Sequence, residues 1–219
     1  MVLIFDLDDT LYDEMSFVKS GLHSVASLGE SLFGWEEENS FNFMLATLLK
    51  KGRGKVFDEW LRAKGKYTRG LVARCVSVYR YHNPNIALFL PAKEVLEFYE
   101  GKCPLYLVTD GHKGAQENKV NALQLAPSFR RIFITHRFGI RHAKPSLHCF
   151  DIIRRSERCD WVDMVYVGDN PAKDFVNLNA VGARTVRVST GAYSSAVVSP
   201  EYDARNTISD LTYLHQVLD

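Results

Sequence analysis

Three short apolar runs, far apart in the chain, each stop on polar residues, and this repetition limits the fold more than any other feature. They are Val2–Phe5, leading into Asp6-Leu7-Asp8-Asp9-Thr10; Leu105–Val108, leading into Thr109-Asp110-Gly111; and Met164–Val167, leading into Gly168-Asp169-Asn170. Runs of four or five residues rich in Val, Ile and Leu have the signature of strands buried on both faces of a parallel sheet. Loops at the carboxyl ends of neighbouring parallel strands open into one crevice. Asp6, Asp8, Thr109 and Asp169 are therefore expected to meet.

The intervening sequence agrees with this. Helices are predicted near Ala92–Glu100, Ala115–Leu125, after Pro145, over Pro171–Ala180 and at about Ile208–Leu218, with further strands at Ile132–Thr135 and Arg184–Val188. Repeated strand–helix alternation with right-handed crossovers gives an α/β fold with a doubly wound parallel sheet. Residues 14–86 are too many for a simple crossover. Their pattern is helical: Phe41, Met44, Leu45, Leu48 and Leu49 repeat at the helical period, as do Leu71, Val72, Cys75, Val76 and Tyr79. With Phe17–Leu32 and Val56–Leu61 they make four helices, a small bundle. The expected organisation is a core of residues 1–13 and 87–219 with an inserted helical unit at 14–86. Trp35, Trp60, Tyr79 and Tyr81 are expected in the bundle's core.

Carboxylates from two strand ends can hold Mg²⁺, which takes oxygen ligands in octahedral geometry and keeps positions for water and phosphate. A carboxylate can then attack phosphorus and form an aspartyl-phosphate, splitting one hard step into two easier ones. Phosphoryl transfer otherwise needs positioning and charge stabilisation. Thr109, the amides around Asp110-Gly111, and Lys144 are the candidates for that. Pro145 is expected in the first turn of a helix, which would put Lys144 beside a helix N-terminus that attracts anions.

The order Asp6-x-Asp8-x-Thr10, Thr109, Lys144-Pro145 and Gly168-Asp169-x4-Asp174 resembles the haloacid dehalogenase-like hydrolase superfamily, from Val2 to about Val188. The resemblance implies a Rossmann-like core with a helical cap closing over the site. It implies Asp6 as nucleophile and Mg²⁺ ligand, and Asp8 as general acid/base that binds the metal through its backbone carbonyl. Thr109, Asp110, Gly111 and Lys144 would hold the phosphoryl group and Asp169 would ligate Mg²⁺. Thr10, Asn170 and Asp174 would support them, Asp174 by positioning Lys144 or a metal-bound water. Asp8 narrows the choice: an acid at that position marks the phosphatase and phosphomutase branches, because an alkoxide leaving group needs a proton. Two departures bear on substrate contacts alone: Ser146-Leu147 where relatives often carry Asp-Pro, and Thr-Asp-Gly where many carry Thr-Asn-Gly.

The expectation is a Mg²⁺-dependent phosphomonoesterase for a small metabolite, a sugar or sugar-acid phosphate or a nucleoside monophosphate. The alternatives are a phosphomutase of the same family and a non-catalytic, ligand-binding or regulatory member. Arg53 and Lys55, in the glycine-flexed cluster Lys50–Lys55, and His112 are candidate substrate contacts. The helical insertion carries 11 Lys/Arg against 7 Asp/Glu, which suits an anionic ligand. A net charge of +1 gives no case for nucleic acid or membrane partners. No stretch of roughly 18 apolar residues occurs. No secretory leader is expected, because the first strand begins at residue 2. Cys75, Cys103, Cys149 and Cys159 lack metal-type spacing and are expected to be reduced thiols. A cytoplasmic protein acting as monomer or homodimer is expected.

Overall fold

The computed structural model describes residues 1–218. The chain divides into two compact units: Met1–Glu14 together with the chain from Ala87 onward, and Met15–Ile86.

The first unit is built on a six-stranded, all-parallel sheet of order β3-β2-β1-β4-β5-β6. The strands are β1 (Val2–Phe5), β2 (Leu105–Thr109), β3 (Arg131–Ile134), β4 (Met164–Gly168), β5 (Arg184–Val188) and β6 (Asn206–Ile208). β1 lies at the centre, with Leu3 opposite both Leu105 and Val165. All four of its residues are buried. Its alternate side chains Val2 and Ile4 join Tyr106, Val108, Phe133, Phe150, Ile153, Met164, Tyr166 and Phe175 in one apolar cluster. A strand sandwiched in this way must be apolar throughout, which is why it reads as an unbroken run. The chain winds from β1 outward through β2 to β3, then returns to β4 on the other side of β1. The ends of β1, β2 and β4 thus share the point where the winding reverses, the usual place for a ligand crevice.

Three expectations are corrected here. The predicted helix at Ile208–Leu218 is instead strand β6 followed by a 3₁₀ segment, Leu211–Val217, capped by Asp210, which accepts the Thr212 amide at 2.8 Å. Its buried residues Leu211 and Leu214 are three apart, the period at which 3₁₀ side chains eclipse. The helix predicted over Pro171–Ala180 is cut to α8 (Val176–Ala180), because Asn170 to Asp174 forms a turn held by the Asp174 carboxylate. The helix after Pro145, α7 (His148–Glu157), starts three residues later, with Leu147 as its N-cap. Pro145 therefore lies outside its first turn.

The second unit contains α1 (Glu14–Phe33), α2 (Glu37–Lys51), α3 (Val56–Ala63) and α4 (Arg69–Tyr81). Val18, Leu22, Val25, Ala26, Phe41, Met44, Leu61 and Cys75 pack around Trp60, which is 1% exposed. Trp35 meets Trp60 edge-on, with ring centroids 5.2 Å apart. Tyr81, expected in this core, is 56% exposed. It lies two residues past Tyr79, about 200° further round the helix. Trp60→Ala should cost about 3–5 kcal/mol, read as an earlier urea midpoint in helical circular dichroism; an unchanged midpoint would contradict this packing. Between α5 (Leu90–Tyr99) and β3 the first unit carries one further helix, α6 (Lys113–Ala122). No helix among the described residues is long and apolar enough to cross a membrane.

Candidate active site

β1 ends by delivering Asp6, whose amide donates to the Val167 carbonyl of β4 at 2.8 Å. The Asp6 carboxylate lies 2.9 Å from the Lys144 ammonium, which sits 2.8 Å from Asp174 on its other side. Lys144 also donates to the Tyr166 hydroxyl at 2.7 Å, and that hydroxyl donates to Asp174 at 3.2 Å. All four groups are buried. The second Asp174 oxygen accepts the Asn170 amide at 2.9 Å, so one carboxylate both closes the turn after β4 and holds the lysine. Asn170 accepts the Ala172 amide at 3.0 Å.

Asp6, Asp169 and Asp174 each bring a ligand atom within 4.8 Å of the others. Burial pushes the Asp6 carboxyl up to about 6, even against the pull of Lys144. Burial and the neighbouring Asp6 and Asp174 charges push Asp169 up to about 9. Burial opposes a charge on Lys144, but Asp174, Asp6 and Asp110 overcome it and hold the ammonium above its ordinary range. Such crowding is what a cation among the carboxylates would relieve. The donors are all hard oxygen atoms, Asp6 and Asp169 directly after β1 and β4 and Asp174 in the turn that follows β4, the type of set that Mg²⁺ takes. The residues fit the metal.

Asp8 is turned the other way. Its carboxylate accepts the Lys119 ammonium at 2.7 Å and the Tyr12 hydroxyl at 2.5 Å on one oxygen, and the Gln116 amide at 2.9 Å on the other. Burial would raise this carboxyl, yet Lys119 and the hydrogen bonds hold it below its usual range. The same Gln116 nitrogen donates to Thr109, the last residue of β2, at 2.6 Å. Asp110 accepts the Thr135 hydroxyl at 2.6 Å and the Lys144 amide at 3.1 Å, tying the loop of Lys144 to the end of β2. Lys173 lies 3.8 Å from the other Asp110 oxygen. Gly111 follows at φ 140°. His112, half-buried, is the N-cap residue of α6.

Between Asp8 and Thr10 the backbone turns through Asp9 at φ 54°, a left-handed conformation that a side chain rarely adopts. The Asp9 carboxylate accepts the Glu14 amide at 2.9 Å and the Ala192 amide at 3.2 Å, and the Asp9 carbonyl accepts the Thr190 hydroxyl. A side chain on Gly191 would overlap the Asp9 carboxylate, so only glycine allows this approach. Among the described residues the buried Thr10 hydroxyl has no hydrogen-bond partner. Arg53 and Lys55 lie exposed in the 3₁₀ turn Arg53–Lys55 of the second unit, where Arg53 lines a cavity of about 270 Å³ with Val18, Leu22, Val72 and Tyr79.

Tyr12, Gln116, Lys119, Tyr166 and Lys173 escape the reading of the sequence. Tyr166 left a signal, a hydroxyl inside an otherwise aliphatic strand, which needs a partner when buried. Gln116 and Lys119 left a fainter one, two long polar side chains three apart beside Ala115 and Val120.

A haloacid dehalogenase-like hydrolase family model matches residues 3–188. The chain belongs to the haloacid dehalogenase-like hydrolases. It is one of the family's phosphatases. A glyceraldehyde 3-phosphate phosphatase of Methanocaldococcus jannaschii is 30% identical over 199 residues, covering 87% of this chain and 86% of that protein. A second, from Pyrococcus furiosus, is 24% identical over 100% of this chain and 92% of its own. The fold is shared with the magnesium-bound HAD-hydrolase YfnB of Bacillus subtilis, at TM-score 0.73 and 18% identity over 100% of this chain and 98% of that one.

Proposed function

We propose that this haloacid dehalogenase-like phosphatase hydrolyses a small phosphorylated sugar or sugar acid with Mg²⁺, through an aspartyl-phosphate on Asp6. The observation that carries this is the buried arrangement of Asp6 and Asp174 about Lys144, with Asp169 close enough to share an ion with both carboxylates. Because the Asp174 oxygens are taken by Lys144 and the Asn170 amide, Mg²⁺ bound there would be held by Asp6, Asp169 and the Asp8 carbonyl, and would neutralise charge on the phosphoryl oxygens.

Asp6 attacks phosphorus while the bond to the leaving oxygen breaks. The leaving oxygen takes its proton from Asp8, which starts ionised beside Lys119 and first receives that proton from the monoanionic phosphate ester. Asp8 then accepts a proton from water as that water attacks the aspartyl-phosphate, and the Asp6 carboxylate is restored. Lys144 and Thr109, with the amides of Asp110 and Gly111, hold the phosphoryl oxygens through both steps. Asp174 keeps Lys144 in place. The helical unit at 14–86 acts as a cap that excludes bulk water, and its excess of basic residues favours an anionic substrate. Arg53, Lys55 and His112 are candidates to touch the substrate.

The two relatives act on glyceraldehyde 3-phosphate by name, which makes that three-carbon sugar phosphate the first compound to test. A panel of sugar phosphates, phosphorylated sugar acids and nucleoside monophosphates, each assayed with Mg²⁺ and with excess chelator, decides the reading. Phosphate release from a small sugar phosphate that falls at least about 100-fold in chelator is expected, in line with the several kcal/mol that a catalytic metal supplies. Full activity in chelator would remove the metal, and isomer formation without phosphate release would favour a mutase.

A further inference from the structure

We propose that Gln116 and Lys119 of α6 are positioning residues for Asp8, clamping both of its oxygens so that it faces the leaving oxygen in the first step and the water in the second. This rests on the reading of Asp8 as the acid, given above. The residues are three apart on one face of α6, about 300° round the helix and therefore neighbours. Lys119 reaches one oxygen of Asp8 at 2.7 Å and Gln116 the other at 2.9 Å. The Gln116 amide is shared with Thr109 at 2.6 Å, so one nitrogen fixes the distance between the acid after β1 and the hydroxyl at the end of β2. Gly111 makes room for it: a side chain there would meet the Gln116 chain at 3.1 Å.

Burying such groups is costly. Gln116 is 2% exposed and Lys119 is 4% exposed. Long polar side chains lose more rotamer freedom on burial than a leucine does. A leucine at either position would fill α6's inner face at a smaller loss. What the polar pair adds is aim. Asp8 keeps 22% of its side chain exposed, enough freedom to turn away from a substrate if nothing held it. A misplacement of about 1 Å in a reacting group costs on the order of 100-fold.

The test is leaving-group dependence. A proton donor matters for an alkyl phosphate, whose alkoxide is strongly basic, and hardly at all for 4-nitrophenyl phosphate, whose phenolate departs unaided. Gln116→Met and Lys119→Met keep an unbranched chain and remove the hydrogen bonds. For each, kcat/KM is measured on glyceraldehyde 3-phosphate and on 4-nitrophenyl phosphate, beside Asp8→Asn as reference. The alkyl-to-aryl ratio is expected to fall about 10- to 100-fold in each Met variant, through kcat with KM little changed, and further in Asp8→Asn. The ratio is taken within one preparation, so any loss of folded protein cancels, and either Met variant alone decides. A ratio equal to wild type in the Met variants, with Asp8→Asn still depressed, overturns the positioning role and leaves packing. A wild-type ratio in Asp8→Asn as well overturns the acid on which the proposal rests.

Discussion

Asp6→Asn is expected to lower phosphate release by on the order of 10⁴-fold or more, while the protein stays folded. The substitution keeps the shape of the side chain and one oxygen facing Lys144. It replaces the attacking oxygen with an amide nitrogen that is no nucleophile, and it removes a ligand charge from the metal set. The fold tolerates this for a reason visible in the site. Asp6 is one of three crowded carboxylates, and burial has already raised it to about 6. Lys144 retains Asp174 at 2.8 Å after the change. A thermal melt within a few degrees of wild type should accompany the lost activity. Wild-type turnover would rule out the covalent route, and an unfolded variant would show that the Asp6–Lys144 pair is structural first.

Lys144→Met is expected to have both effects at once. Removing one partner of a buried ion pair costs about 3–5 kcal/mol, because the other charge is left uncompensated. Here two carboxylates, Asp6 and Asp174, lose the cation between them, at 2.9 Å and 2.8 Å, and the Tyr166 hydroxyl loses a donor. For a chain of this size the melting temperature should drop by roughly 10 °C. Activity should vanish as well, since no other cation among the described residues lies so close to Asp6. Adding Asp6→Asn to Lys144→Met should recover part of the lost stability, since one of the stranded charges is then gone. Additive losses in the double variant would mean that the two side chains do not interact as their distance implies.

Much of this was legible in the sequence because buried parallel strands carry a plain signal. Arg184–Val188 was read to the residue, and β1, β2 and β4 stood out as aliphatic runs with polar ends. The positions of Asp6, Asp169 and Thr109 followed from topology, since strand ends beside β1 have to share a crevice, whereas Lys144, ten residues past the end of β3, was singled out by its motif. The C-terminal segment was misread because Leu211 and Leu214 suit an α-helix and a 3₁₀ turn alike, and because three residues make too short a strand to register as a period. The clamp on Asp8 stayed hidden for a different reason. Gln and Lys on a helix usually face water, and nothing in the order of residues says that α6 turns them inward toward a carboxylate 108 and 111 positions away.

The hydroxyl of Thr190 reaches back over 181 positions to the Asp9 carbonyl, and this sets an order of events in folding. The loop bearing Asp6 and Asp8 is synthesised first and has the Glu14 amide close at hand, yet the rest of what secures its left-handed bend comes from residues made near the end. Contacts of such long range form late, because the connecting chain must be ordered before they can close. The family match stops at Val188, two residues short of this closure. A fragment trimmed to that border would keep every recognised motif and still lack the latch on its own nucleophile loop.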